Sequence, residues 1–172
     1  MQSSRRQVER EIAKDISLSF WPFPPDNILA VGQETACLGL CAAEEISSCH
    51  VKFLGSKSLD SNQSSKRISI ISEDWGQVDW GSNYSIVLAT EQLRSLSPDS
   101  QLSFLSRSKQ CLKNDGRVVA LEMTEKVDHS SSLCTLQQVG NAAGFYDVII
   151  SAIEDTPWSV ILFRKQRDFS TY

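Results

Sequence analysis

Seven short apolar runs, separated by segments of helical spacing or by polar loops, limit what this chain can fold into. The runs are Ile28–Val31, His50–Leu54, Arg67–Ser72, Tyr84–Ala89, Arg117–Glu122, Tyr146–Ile153 and Trp158–Lys165, all of strand length. Thr35–Ile46 has few large side chains and suits a helix lying close on a sheet. Ser97–Lys113 reads as a second helix: Ser97-Pro98 is a cap followed by a first-turn proline, and Leu102, Leu105 and Leu112 recur at helical spacing. Asn114-Asp115-Gly116 then supplies the stop. Ser130–Ala143 reads as a third, with Leu133, Leu136 and Ala143 on one face and Gly144 at its end. Strands alternating with helical crossovers predict an α/β fold, a three-layer sandwich around a seven-stranded, mostly parallel sheet. The last two strands are joined only by the turn sequence "EDTP", so they should form an antiparallel hairpin at one edge.

The 172 residues fit one domain with a core of its own, here read as residues 27–172 behind an N-terminal segment, 1–26. A net charge of −4 and the lack of a basic patch argue against nucleic acid or an anionic membrane as partner. No apolar run approaches the roughly 18 residues of a membrane span. Five widely spaced cysteines and no signal peptide predict an intracellular, cytoplasmic setting. Cys37 and Cys41, four apart, share a helix face, and His50 follows, but no second ligand pair completes a zinc site, so no metal is expected.

In the N-terminal segment, Val8, Ile12 and Ile16 form one narrow apolar stripe on a charged helix over residues 5–17. "SFWPFPPDN" follows, where three prolines end the helix and Phe20, Trp21 and Phe23 offer aromatic anchors. This segment would cover a pocket, dock on another chain, or close the chain's own fold.

The stretch "NILAVGQETACLGLCAAEE", Asn27 to Glu45, joins strand to helix through a turn with one early glycine, Gly32. "NYSIVLATEQLRSL", "FLSRSKQCLKNDGRVVALE" and "LQQVGNAAGFYDVIIS" follow later, with Leu112-Lys113, Gly116 and Ala143-Gly144-Phe145 at their marked positions. Together these segments resemble the class I S-adenosylmethionine-dependent methyltransferases over about residues 27–165. The resemblance implies that fold, with Gly116 turning the chain between helix and strand, Gly144 capping a helix and Phe145 packing beneath the sheet.

It also implies where a cofactor would lie. The family places an acid two residues before the first glycine and then Gly-x-Gly-x-Gly; here Ala30 replaces the acid and Glu34 replaces the second glycine. The acid that holds the ribose after the second strand is missing from Gly55, Ser56 and Lys57, and the nearest is Asp60. Asp74 and Trp75 resemble the adenine-binding pair, although Asp74 would equally cap a turn and Trp75 anchor a loop. Cofactor candidates are therefore Gly32, Glu34, Asp74, Trp75 and Thr90, with S-adenosylmethionine bound weakly or not at all. Catalytic candidates are Thr90, Glu91 and Glu122 at strand ends, and His129 in a polar loop. With no insertion large enough for a substrate lid, these residues lead to a pseudo-methyltransferase acting with a protein partner. That partner would be an active methyltransferase of the same fold or a second copy of the chain. The alternative is an active methyltransferase for a small molecule.

Overall fold

The computed structural model describes residues 2–20, 24–60, 62, 65–123 and 131–165; Trp21, Phe23 and His129 lie outside them, as does the side chain of Leu133. Seven strands form one sheet: β1 (Asn27–Val31), β2 (His50–Leu54), β3 (Ile68–Ile71), β4 (Tyr84–Thr90), β5 (Leu112–Met123), β6 (Asp147–Ala152) and β7 (Trp158–Arg164). Their order is β3-β2-β1-β4-β5-β7-β6. This is the expected α/β architecture. The chain forms two compact units, Met1–Trp80 and Gly81–Tyr172.

In the first unit, β1 pairs in parallel with β2, and β2 with β3. Ile28, Leu29, Ala30 and Val31 have no exposed surface, so β1 is apolar on both faces. A 3-10 turn, Gln33–Thr35, leads into helix α2 (Ala36–Glu45), which starts one residue later than the sequence suggests. Gly39 lets α2 approach the sheet. A Cβ there would run into the Phe53 ring and stand 3.0 Å from Ala30 Cβ. Both neighbours are buried and cannot retreat. Gly39→Val is therefore expected to destabilise the chain by about 2 kcal/mol, the usual cost of overpacking a filled core. A melting temperature equal to the wild type's would refute this.

Helix α1 (Gln2–Ser19) is longer than the stripe on it suggested, and it packs on α2. Val8, Ile12 and Ile16 are 5–6% exposed and Ala13 not at all. The stripe is thus used within the chain, where each aliphatic side chain contributes roughly 1.5–3 kcal/mol of burial. It does not present a free apolar face.

In the second unit, all seven residues of β4 are buried, and β4 pairs in parallel with β5. β7 runs antiparallel to both β5 and β6. The hairpin lies at the sheet edge as expected, but the reversed strand β7 is inserted and β6 is the outer strand.

Helix α3 (Pro98–Cys111) begins as read, with Ser97 Oγ accepting the Ser100 N–H at 3.3 Å. It ends before Asn114, because Leu112 is already extended and pairs with Tyr84. The tight turn inside β5 belongs to Asp115, at φ 66°, not to Gly116. Gly116 is required for space instead, since a Cβ would lie 2.9 Å from Leu112 Cβ and the Lys113 carbonyl oxygen.

Helix α4 (Ser131–Ala142) is closed off by Gly144, two residues beyond its end at φ 84°, with Phe145 N–H returning to the Gly140 carbonyl at 3.1 Å. Phe145 is buried with its ring 5.6 Å from that of Phe163. Among the described residues no helix is long and apolar enough to cross a membrane.

Candidate functional site

The turn after β1 begins at Gly32, whose φ of 94° and ψ of 157° suit only glycine. Its N–H donates to the Leu54 carbonyl at 2.8 Å, and its carbonyl accepts Thr35 N–H at 3.2 Å and Ser56 Oγ at 3.4 Å. Thr35, fully buried, donates its hydroxyl to the Val31 carbonyl at 2.6 Å. Gln33 reaches the segment after β2, where its Oε1 accepts the backbone N–H groups of Lys57 (2.7 Å) and Ser58 (3.3 Å). The turns after β1 and β2 are therefore tied directly to each other.

Glu34 is held from the other side. Arg5 of α1 donates Nη1 to Glu34 Oε2 at 3.0 Å and Nη2 to the Glu34 carbonyl at 2.8 Å. The same guanidinium gives Nε to Oε1 of Glu9 at 3.2 Å. Glu9 is fully buried, and its Oε2 has no hydrogen-bond partner. One cation thus serves a buried carboxylate and clamps the altered turn. The sequence marks Arg5 and Glu9 as an i, i+4 pair, but no local signal joins Arg5 to Glu34.

Ala30, where the family has an acid, is sealed beneath α2. Asp60 is exposed. Asp74 is exposed too, and its Oδ1 accepts the Gly76 N–H at 2.7 Å, closing a short turn. Trp75 is half-buried, 5.9 Å edge-on from Trp80, whose Nε1 donates to the Trp75 carbonyl at 2.8 Å. These are the turn-capping and loop-anchoring roles open to them from the sequence. Cys37 and Cys41 sit on the α2 face near Glu9. Burial and then the Glu9 carboxylate push the Cys37 thiol up to about 12, and burial also raises Cys41, so neither is a nucleophile at neutral pH. His50 is exposed at the start of β2, and no metal-ligand cluster occurs among the described residues.

In the second unit the strand ends gather Thr90, Glu91 and Glu122. Thr90 is fully buried and sits opposite Leu121 in the ladder. Glu91 follows in a left-handed conformation, φ 50°, with its N–H on the Leu121 carbonyl at 2.9 Å. Such a conformation is costly for a residue with a side chain and concentrates at functional loops. Glu122 is 1% exposed, and its Oε1 accepts the Leu93 N–H at 2.9 Å. Burial pushes its carboxyl up to about 7, against the lowering effect of hydrogen bonds from the Leu93 and Arg94 backbone. Gln101 of α3, 7% exposed, donates Nε2 to the carbonyls of Leu93 (2.9 Å) and Leu96 (3.3 Å). Sequence reasoning singled out Glu122 but missed Gln101, which looks like an ordinary polar helix residue.

No family model matches this chain, and no curated protein does. Solved structures do. The S-adenosylmethionine-dependent methyltransferase SibL, in its apo form, matches with a TM-score of 0.71 and 19% identity over 91% of this chain and 55% of its own. An O-methyltransferase family protein from Burkholderia thailandensis matches with 0.71 and 9% identity, over 94% and 56%. Magnesium protoporphyrin IX methyltransferase from Synechocystis PCC 6803, with bound S-adenosylmethionine, matches with 0.68 and 10% identity, over 94% and 80%. The chain spans little more than half the length of the first two. At these identities the likeness is one of fold, and the fold is that of the class I S-adenosylmethionine-dependent methyltransferases.

Proposed function

We propose that this chain is a methyltransferase-fold binding or scaffolding subunit that works without S-adenosylmethionine and together with a protein partner. The supporting observation is the closed state of the turn after β1. Gln33 spans to Lys57 and Ser58, and Arg5 grips Glu34 by side chain and backbone. In the family, glycines leave this turn open to the amino acid part of the cofactor. Here the Gln33 side-chain oxygen, the Glu34 carboxylate and the Glu34 carbonyl are already bonded within the first unit. The residues present do not fit the usual anchors, since Ala30 is buried and Asp74 is engaged in its own turn. A partner of the same fold, or a second copy, would act through a surface other than the Val8, Ile12 and Ile16 stripe.

Calorimetry on the isolated chain tests this. No S-adenosylmethionine binding tighter than about 10 µM, roughly −7 kcal/mol, is expected. Tighter binding overturns the reading.

Glu91 favours the second reading, an active methyltransferase for a small molecule. Its left-handed backbone immediately after β4 marks a place where ligands bind in open α/β sheets. Turnover of S-adenosylmethionine to S-adenosylhomocysteine with any acceptor would establish that reading and dismiss the first.

A further inference from the structure

The first unit holds a cavity of about 480 Å³, lined from α1, the turn after β1, α2 and the segment after β2. Two donors on its wall share one neutral acceptor. The backbone N–H groups of Lys57 and Ser58 both donate to Gln33 Oε1, at 2.7 and 3.3 Å. Gln33 and Ser58 line the cavity, and so do Arg5 and Arg6. Arg5 is committed to Glu9 and Glu34, whereas Arg6 is exposed and has no ion-pair partner among the described residues. From Gly55 to Leu59 the chain carries no acid and one cation, Lys57.

Two fixed N–H dipoles that meet at one point, with a free guanidinium on the same cavity, suit an oxyanion. A carboxamide oxygen is a weaker acceptor than a charged one. Gln33 is exposed, so a charged oxygen can take its place without opening the core. The cavity is also much larger than a phosphate ion, and Ala36, Leu40 and Leu59 give it an apolar wall.

We propose that this cavity binds a small phosphomonoester. Its phosphate displaces Gln33 Oε1 from the Lys57 and Ser58 N–H groups and pairs with Arg6, and its organic part lies against Leu40 and Leu59.

The two acids on the cavity wall do not oppose this strongly. Glu34 is paired with Arg5 at 3.0 Å, and Glu44 is exposed and screened by water. Cys37 and Cys41, on the same wall, stay protonated and neutral. S-adenosylmethionine carries no phosphate, so occupancy of this site and of the cofactor turn are told apart by the ligand itself.

Nuclear magnetic resonance on the full chain provides the test, with phenyl phosphate, inorganic phosphate and phenol as probes at constant ionic strength. Both anions should shift the Lys57 and Ser58 amides and saturate, phenyl phosphate at the lower concentration. Arg6→Ala should weaken phenyl phosphate roughly 10-fold, as expected for one lost charge-assisted bond. Gln33→Ala removes the competing oxygen and should tighten binding several-fold, a response that a diffuse cloud of counter-ions would not show. Both side chains are exposed, and the spectrum itself reports whether the fold survives. Amides that do not move, phenol as effective as phenyl phosphate, or no gain in Gln33→Ala would overturn the site. Inorganic phosphate binding as tightly as phenyl phosphate would reduce it to an ion site and overturn the phosphomonoester.

Discussion

Arg5→Ala is expected to cost this chain about 3 kcal/mol at neutral pH, the low end of what breaking a buried ion pair costs. The reason lies with Glu9 rather than with Arg5. The Arg5 side chain is 26% exposed and would lose little by itself, whereas Glu9 is fully buried and its Oε2 already lacks a partner. Without the guanidinium, Glu9 Oε1 loses its ion-pair partner and Oε2 gains none, so the buried carboxylate is left uncompensated. Glu34, with 54% of its side chain exposed, returns to solvent at little cost. The effect should therefore be non-additive: Glu9→Met in the Arg5→Ala background should recover most of the loss. Denaturant unfolding of the two single variants and the double variant measures it. A loss under about 1 kcal/mol for Arg5→Ala, the value of a solvated surface pair, would defeat the argument.

This pair also marks where the sequence stops being readable. Local pattern carried the fold: His50–Leu54 is a strand at the bounds its apolar run suggests, and the "EDTP" turn makes the hairpin. Ser97-Pro98 starts α3, because capping uses groups three residues apart. The end of α3 was misread. Asn114-Asp115-Gly116 has the composition of a helix stop, but the ladder from Tyr84 to Leu112 claims the chain first. Within α3 the buried face is Gln101, Phe104, Leu105 and Ser108, while Leu102 is 37% exposed. Periodicity of leucine alone missed that face, since a buried glutamine takes part in it.

The site was legible in residue types and not in pairings. That Glu34 stands where a glycine is usual follows from the sequence. That Arg5, 29 residues earlier, neutralises it does not. Gln33 bonding to Lys57 and Ser58 is likewise a link between two turns brought together by β1 and β2, with no trace in either segment alone. Asp74 shows the converse. Its role within its own turn reaches only two residues ahead, and sequence reasoning had it among the options.

Glu122→Gln is expected to make the chain more stable at alkaline pH, by about 3 kcal/mol at around pH 8. The Glu122 carboxyl goes from an ordinary 4.5 to about 7 in the fold because burial penalises its charge. Between those values the folded chain holds a proton that the unfolded chain has released. The stability tied to this group is thus complete below about pH 4.5, falls as pH rises, and is lost above about 7. Glutamine has nearly the same shape and never pays the charge penalty. The stability difference between variant and wild type should start near zero at about pH 4.5 and grow across that window. Because other carboxylates change stability with pH as well, only the difference between the two chains is diagnostic. The glutamine side-chain oxygen can keep the bond that Glu122 Oε1 accepts from the Leu93 N–H. A pH-independent difference, or a variant less stable than the wild type at alkaline pH, would show that Glu122 is not a buried charge held at a cost.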